Sequence, residues 1–565
     1  MSRFGALLLS ATAPRATRHF RGTCRHPADT QQARLLDIVS ANADTAFGRV
    51  HGFDRVGSLA EFQSRVPISS YEELQPFIAA AMDGEPHQLT RQPPILFTMT
   101  SGTTGARKYI PMTAAERAAK RQRSRLWVSS FLHDHPGIAG GRVLSMVSPE
   151  VESYTPNGTP CGAESGHFYR TMPRAVRSLY STPYEVFTLA DYEAKYYTLL
   201  RIAAGHDIRC LVTPNPSTIV LLAERLALHT ESIIRDVHDG TLRPDLAVSA
   251  DLRASLRLRP DHRRAQQLER AAAASDTNAL RPSLVWPHLT ALGCWKGGSV
   301  GPYLSRFGRY FTSDTPVRDL GYLATETAAS VPLSDYGAGG VAAIGTDVLE
   351  FYPADVERPP AGRELLGVDQ LEIGGFYKVV ITTAAGLYRY DMNDIIEVVG
   401  GFEQTPVIRF VQKSDGIVSF TGEKLAEIQV VTAVEDAFGP ELEPSAFIAA
   451  VAELVDDVPR LAFLVEVEAI GDSAGEAIIT RLDTALGGRN IEYAAKRASG
   501  RYLPPVLRLV RTGELDRYRH RMVDAGRADG QFKIRRLTTD ATFAAQFTVT
   551  REIRPSDRPL TTHGA

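Results

Sequence analysis

Apolar positions along the chain follow two spacings, one helical and one strand-like, and their alternation predicts an α/β protein. Residues 30–42 carry Leu35, Leu36, Ile38 and Val39 at helical intervals, and 71–82 repeat the pattern. These two stretches predict a helical preface packed beside the loop that follows. The run Pro94-Ile95-Leu96-Phe97 predicts a buried strand, and 114–132 a long Arg/Lys-rich helix with one side on the surface. Strand-like runs at 143–147 and 208–212 alternate with helical ones at 184–200 and 219–228, which predicts a parallel sheet. Residues 251–274 read as a charged helical insert on the surface. Strand character returns at 284–295, 317–323 and 341–352, with a helix-like 302–307 in between. An antiparallel pair is predicted at 374–383 and 395–399 around Ala384-Ala385-Gly386, and one more strand at 407–411.

The polar, glycine-ended break Gln412-Lys413-Ser414-Asp415-Gly416 marks a domain boundary. A chain of 565 residues is too long for one core. The expected division is therefore 1–412, a large domain of β-sheets flanked by helices, and 413–565, a smaller α+β domain. The second has helices at 427–438 and 476–486 and a strand-rich 447–467. A net charge of -2 provides no electrostatic footprint for nucleic acid or an anionic membrane. No apolar run approaches the roughly 20 residues needed to span a bilayer. Cys24, Cys161, Cys210 and Cys294 are scattered, without a C-x-x-C pair, which argues against a disulfide framework or zinc site. Residues 1–21 read as a surface helix or ragged start rather than a targeting segment. These features point to a cytoplasmic protein, expected to be a monomer.

The richest chemistry lies at 97–113, F-T-M-T-S-G-T-T-G-A-R-K-Y-I-P-M-T. Thr100-Ser101-Gly102-Thr103-Thr104-Gly105 offers hydroxyls, backbone N–H groups and two glycines, and Arg107 and Lys108 close it with positive charge. A polyphosphate spreads its charge over many oxygens, and such a loop can meet them with donors and cations. A solvated linker has similar composition, but is not normally set between strand-like runs. The loop lacks the Gly-Lys-Ser/Thr ending of a P-loop. Three further pieces follow. Tyr322-Leu323-Ala324-Thr325-Glu326-Thr327 sets an aromatic face, a hydroxyl and a carboxylate close together, suited to a purine, a phosphate and Mg²⁺; alone, it reads as a strand end. Tyr388-Arg389-Tyr390-Asp391-Met392-Asn393-Asp394 ends on a carboxylate that can accept from ribose hydroxyls, or that merely closes a turn. Lys533 follows the glycine-rich 526–530, where the plainer reading is a surface lysine. Lysine is scarce, and Lys108, Lys296, Lys424 and Lys533 all sit in glycine-bounded contexts.

In this order, T-S-G-T-T-G-A-R-K, Y-L-A-T-E, Y-R-Y-D-M-N-D, F-V-Q-K-S-D-G-I-V-S-F-T-G-E-K and G-Q-F-K, the chain resembles the auxin-responsive Gretchen Hagen acyl-acid amido synthetases, as a bacterial-type member. These belong to the adenylate-forming superfamily of acyl-CoA ligases and luciferases. Trp286-Pro287-His288-Leu289, Asn215-Pro216-Ser217 and Phe351-Tyr352-Pro353 extend the likeness over most of the chain. The resemblance implies ATP and Mg²⁺ as cofactors, with Ser101, Thr103, Thr104 and Lys108 at the phosphates. Tyr322 is implied to pack on the adenine, with Thr325 at the phosphate and Glu326 on the metal. Asp394 is implied to hold the ribose, and Phe410 to lie near the nucleoside. Lys424 and Lys533 are implied to act from a mobile C-terminal domain. The implied reaction is adenylation of a carboxylic acid with release of pyrophosphate, then transfer of the acyl group to an amine or amino acid. The chain departs from plant members in having Ala324-Thr325-Glu326 for S-S-E and Asp391-Met392-Asn393-Asp394 for R-L-G-D.

Three other readings compete. In one, the acceptor of the acyl group is a thiol of coenzyme A or a carrier protein instead of an amine. Gly297-Gly298-Ser299-Val300-Gly301 satisfies G-x-S-x-G and admits a serine esterase using Ser299, with only His520 and His563 downstream to complete a triad. The preferred reading places Ser299 in an acyl-pocket wall with Trp295 and Tyr303. Gly337-Ala338-Gly339-Gly340 is rejected as a dinucleotide fingerprint because a strand-like run follows it.

Overall fold

The computed structural model describes residues 17–99, 108–298, 300–356, 365–418, 425–439, 442–456, 458–525 and 534–555. The chain divides into two compact units, Met1–Gly297 with Phe307–Phe410 and Gly298–Arg306 with Val411–Ala565. Three cuts thus bound the second unit, where the sequence reading drew one, because the short segment 298–306 belongs with the C-terminal portion.

Among the described residues, the first unit holds three sheets. One is all parallel, in the order Arg142–Ser145, Ile208–Val212, Ala291–Gly293, Val317–Arg318. Its crossovers include the helices Tyr192–Ala204 and Pro216–Leu228, buried along most of their length. The second starts in the sequence-matching motif Asn215-Pro216-Ser217: Asn215 Oδ1 accepts the Ser217 N–H at 3.0 Å and Pro216 takes the first helical position, where no N–H is needed. A second sheet pairs Leu96–Met99 antiparallel with Tyr109–Met112 and parallel with Pro160–Gly162. The loop 100–107 therefore joins the two strands of a hairpin, although the loop lies outside the described residues.

The third sheet has six strands, in the order Val348–Pro353, Phe376–Thr382, Tyr390–Phe402, Thr405–Lys413, Gly340–Ala342, Ser330–Val331. The helical preface covers it. Helix Pro27–Ala41 buries Leu35, Ile38 and Val39 in the same core as Phe351, Val379 and Ile396. Phe47 stacks on Tyr388 with ring centroids 4.7 Å apart. Helix Tyr71–Asp83 opens with a capping box between Ser70 and Glu73, about 1 kcal/mol of helix stability by itself.

One sequence expectation fails here. Residues 284–295 are not one strand. Helix Pro282–Val285 and a three-residue strand, Ala291–Gly293, share that apolar run, whose length cannot separate the two spacings. Helix Ala114–Asp134 has one exposed side, as expected, and its other face buries the charged Glu116, Lys120 and Arg123. The rejection of a dinucleotide site is correct, since Gly340 begins a strand, not a helix.

The second unit is built on a five-stranded mixed sheet, in the order Leu537–Thr538, Phe447–Val455, Val458–Glu466, Val506–Val510, Val549–Ile553. Helices Glu427–Ala437 and Asp472–Arg489 pack their Val430, Val434, Ile478 and Leu482 into its core.

Candidate active site

Two motifs that lie 72 residues apart in the chain meet inside the first unit. The Tyr322 hydroxyl donates to Asp394 Oδ2 at 2.5 Å, and both residues are almost fully buried, at 5% and 2% exposed. Phe410 stacks on the Tyr322 ring, with centroids 5.7 Å apart and planes inclined by 30°. Burial first, and then the Asp394 carboxylate, hold the Tyr322 phenol well above its ordinary pKa. It is therefore a neutral donor at any working pH.

Asp394 reaches this place because the strand that carries it is irregular. Lys378 faces Ile395 across the sheet, yet Val380 faces Asp391, so Val379 opposes three residues, 392–394. The bulge turns on Asn393, which adopts φ +52° and is exposed while its neighbours Met392 and Asp394 are buried. Asp391 stabilises it: one carboxylate oxygen accepts the Asn393 N–H at 2.9 Å and the other the Tyr352 hydroxyl at 2.9 Å. Asp391 is thus engaged in shaping the bulge. Just before it, the buried Arg389 pairs with Glu350 at 3.0 Å and donates to the Gln63 and Val66 carbonyls at 2.9 and 2.8 Å. A bulge of this kind re-aims side chains, and here it brings Asp394 to Tyr322.

Tyr322 starts a tight hairpin. Leu323 and Ala328 are bridged, and the Ala324 N–H donates to the Thr327 carbonyl at 2.9 Å. Thr325 and Glu326 sit at its tip, half-buried. The whole segment hangs on the buried face of helix Ala114–Asp134. The Trp127 indole donates to the Asp319 carbonyl at 2.7 Å, Arg123 to the Leu320 and Ser330 carbonyls, and Lys120 Nζ to the Thr325 carbonyl at 3.0 Å. These donors, spaced one turn apart, hold the segment in place and are residues that sequence reasoning did not single out. A Glu116–Lys120 pair at i, i+4 looks like a solvated ion pair, and no local signal identifies carbonyls about 200 residues away as partners.

Lys108 follows the loop 100–107 in the chain, its ammonium 5.1 Å from the centre of the Tyr71 ring, and the Tyr71 hydroxyl accepts the Tyr109 N–H at 2.9 Å. Ser101, Thr103, Thr104, Ser299, Lys424 and Lys533 lie outside the described residues. Trp295 belongs to the first unit, where its N–H donates to the Pro214 carbonyl at 2.8 Å. Tyr303 belongs to the second, its ring 5.1 Å from the Arg536 guanidinium. Lys296 is structural: Nζ donates to the Asp335 and Val317 carbonyls at 2.7 and 3.2 Å.

A divalent cation shared with ATP needs only one or two protein carboxylates, since phosphates and waters complete its shell. The half-buried Glu326 at the hairpin tip fits that requirement. No group of three or more metal-ligating side chains that could hold an ion by themselves occurs among the described residues.

The chain is similar to proteins of known function. Indole-3-acetic acid-amido synthetase GH3.10 of Arabidopsis thaliana is 26% identical over 513 residues, covering 85% of this chain and 86% of that protein. Indole-3-acetic acid-amido synthetase GH3.8 of Oryza sativa subsp. indica is 25% identical over 546 residues, covering 90% and 88%. The solved structure of the GH3.15 acyl acid amido synthetase shares the fold, with a TM-score of 0.83 at 19% identity over 96% of this chain and 97% of that one. Models of the GH3 family N-terminal, central and C-terminal domains match residues 16–317, 342–413 and 428–542. The chain belongs to the GH3 family.

Proposed function

We propose that this chain is an ATP-dependent acid–amine ligase that activates a carboxylic acid as its acyl-adenylate and passes the acyl group to an amine or amino acid. The observation that carries the reading is the Tyr322–Asp394 hydrogen bond, which unites the aromatic–carboxylate hairpin with the ribose motif and sets Phe410 beside both. The names of the family relatives supply the reaction class. The indole-3-acetic acid named in them is not transferred to this chain.

In the first half-reaction a carboxylate oxygen attacks the α-phosphorus of ATP. The new O–P bond forms as the bond to the bridging oxygen breaks, and pyrophosphate leaves. Tyr322 and Phe410 provide an apolar wall for the adenine, and Asp394 accepts from the ribose hydroxyls while keeping its bond to Tyr322. The Thr325 hydroxyl and the loop 100–108, with Ser101, Thr103, Thr104 and Lys108, meet the phosphates. Mg²⁺ bound through Glu326 would offset phosphate charge during the displacement. In the second half-reaction the amine nitrogen attacks the acyl carbon. A C–N bond forms, the C–O bond to AMP breaks, and the amine gives up a proton. Lys424 and Lys533 act from the C-terminal domain, and Trp295, Ser299 and Tyr303 are assigned to recognition of the acyl substrate. An acid held as a reactive anhydride must be kept from water, which favours a closing C-terminal domain.

The four cysteines are free and buried, which supports a reducing, cytoplasmic setting. No helix among the described residues is long and apolar enough to cross a membrane. We propose a monomer.

Pyrophosphate exchange into ATP, run with Mg²⁺ and without amine across a panel of carboxylic acids, tests the reading. Exchange that depends on one class of acid supports it. No exchange with any acid, together with ester hydrolysis abolished by Ser299→Ala, would return the case to the hydrolase.

A further inference from the structure

We propose that Lys120 is a positioning residue for the Thr325–Glu326 hairpin tip, fixing it to receive the triphosphate and its metal. This inference rests on the adenylating reading and adds to it a residue that contacts neither nucleotide nor acid.

The hairpin is held at two points that flank Glu326. On one side Lys120 Nζ donates to the Thr325 carbonyl at 3.0 Å. On the other the Thr327 hydroxyl donates to Asp347 Oδ2 at 2.7 Å, and Asp347 is fully buried. The backbone on both sides of Glu326 is thereby fixed, which leaves its carboxylate as the free element of the tip.

An apolar side chain would fill the Lys120 site at lower cost, because burying an ammonium is expensive unless it is fully paired. Here the pairing is extensive. Glu164 Oε2 lies 3.1 Å from Nζ, Glu116 Oε1 4.0 Å, and Asp347 and Arg34 complete the buried charged cluster. Both oxygens of Glu116 lack a hydrogen-bond partner, although the residue is 1% exposed. The surrounding acids hold the Lys120 pKa above its ordinary value in spite of burial, so its three donors stay fixed in number. Geometry gives the purpose: of the side-chain contacts made by Lys120, the one to backbone is to the residue next to Glu326.

A shift of the hairpin tip by even one ångström would spoil charge stabilisation that depends on preset geometry.

The test is calorimetric titration of Lys120→Met with Mg²⁺-ATP and, separately, with adenosine, which tests the Tyr322–Asp394 end alone. The proposal expects Mg²⁺-ATP affinity to fall about tenfold, the scale of a lost charge-assisted hydrogen bond, with adenosine affinity changed less than about twofold. Equal losses for both ligands, or no loss for either, overturn it. Should Lys120→Met fail to fold, Thr327→Val removes the opposite anchor without unbalancing the charges, and the same two titrations decide by the same pattern. A wild-type chain that binds no ATP overturns the adenylating reading and the inference together. Tight wild-type binding with an unchanged variant overturns the inference alone.

Discussion

Asn393 offers a way to disturb the nucleotide site through the backbone alone. Its side chain is exposed, so substitution removes no core packing, but its φ of +52° is required for the bulge that aims Asp394 at Tyr322. Asparagine tolerates this region; a β-branched residue does not. Replacing it with Val should impose about 1–2 kcal/mol of strain. The bulge can relieve that strain by giving up the Asp391–Asn393 hydrogen bond and letting residues 392–394 slide toward regular pairing with Val379. Because side chains alternate along a strand, a slide of one residue carries Asp394 to the other face of the sheet. If the strain is expressed fully in that shift, Asn393→Val should weaken ATP about 5- to 30-fold. Asn393→Gly, which accepts the same φ without strain, should bind within about twofold of wild type. Calorimetric titration with ATP, alongside a thermal melt to confirm folding, measures both. Val and Gly variants that bind equally well, while Asp394→Ala weakens binding, would refute the claim that the bulge sets the ribose carboxylate.

Further expectations follow from the same site. Tyr322→Phe removes a buried donor to a carboxylate and should lower adenosine affinity about tenfold; unchanged affinity would show that Asp394 holds its position without it. Lys533→Ala should slow adenylate formation on the order of 10²- to 10³-fold with ATP affinity little altered, and equal losses in both would remove its role in the transition state. Glu116 is pushed up from 4.5 to about 8, chiefly by burial and then by Asp347. A carboxyl whose folded pKa is raised stabilises the fold fully below its unfolded value and loses that contribution as pH rises to the folded one. The melting temperature of wild type should therefore drop relative to that of Glu116→Gln between about pH 4.5 and 8. Parallel melting curves across that range would contradict the assignment.

The sequence makes some of this architecture plain and conceals the rest for physical reasons. The hairpin Phe376–Thr382 and Tyr390–Phe402 is readable because apolar runs flank a glycine, and Gly386 indeed turns at φ +93°. Helix Pro27–Ala41 and strand Ile208–Val212 follow directly from their spacing. The motif order brought Tyr322, Asp394 and Phe410 into one hypothesis, and they are neighbours. What placed them there was not legible. The bulge at 392–394 carries no local signature beyond an Asn, and the register shift exists only in the pairing with Val379. That Lys120 and Arg123 face inward was not legible, because the carbonyls that hold them inside belong to 320–330, far away in sequence. Lys296 was misleading in the opposite direction, with a glycine-rich context that reflects a tight turn and two carbonyl contacts instead of chemistry.

The measurement closest to the central claim is the nucleotide balance of a full turnover. With ATP, Mg²⁺, an accepted carboxylic acid and an amino acid, chromatography should show AMP formed one-for-one with an N-acyl amide, and pyrophosphate in equal amount. Formation of ADP and phosphate with the amide would mean activation as an acyl phosphate, and would contradict adenylation by this chain.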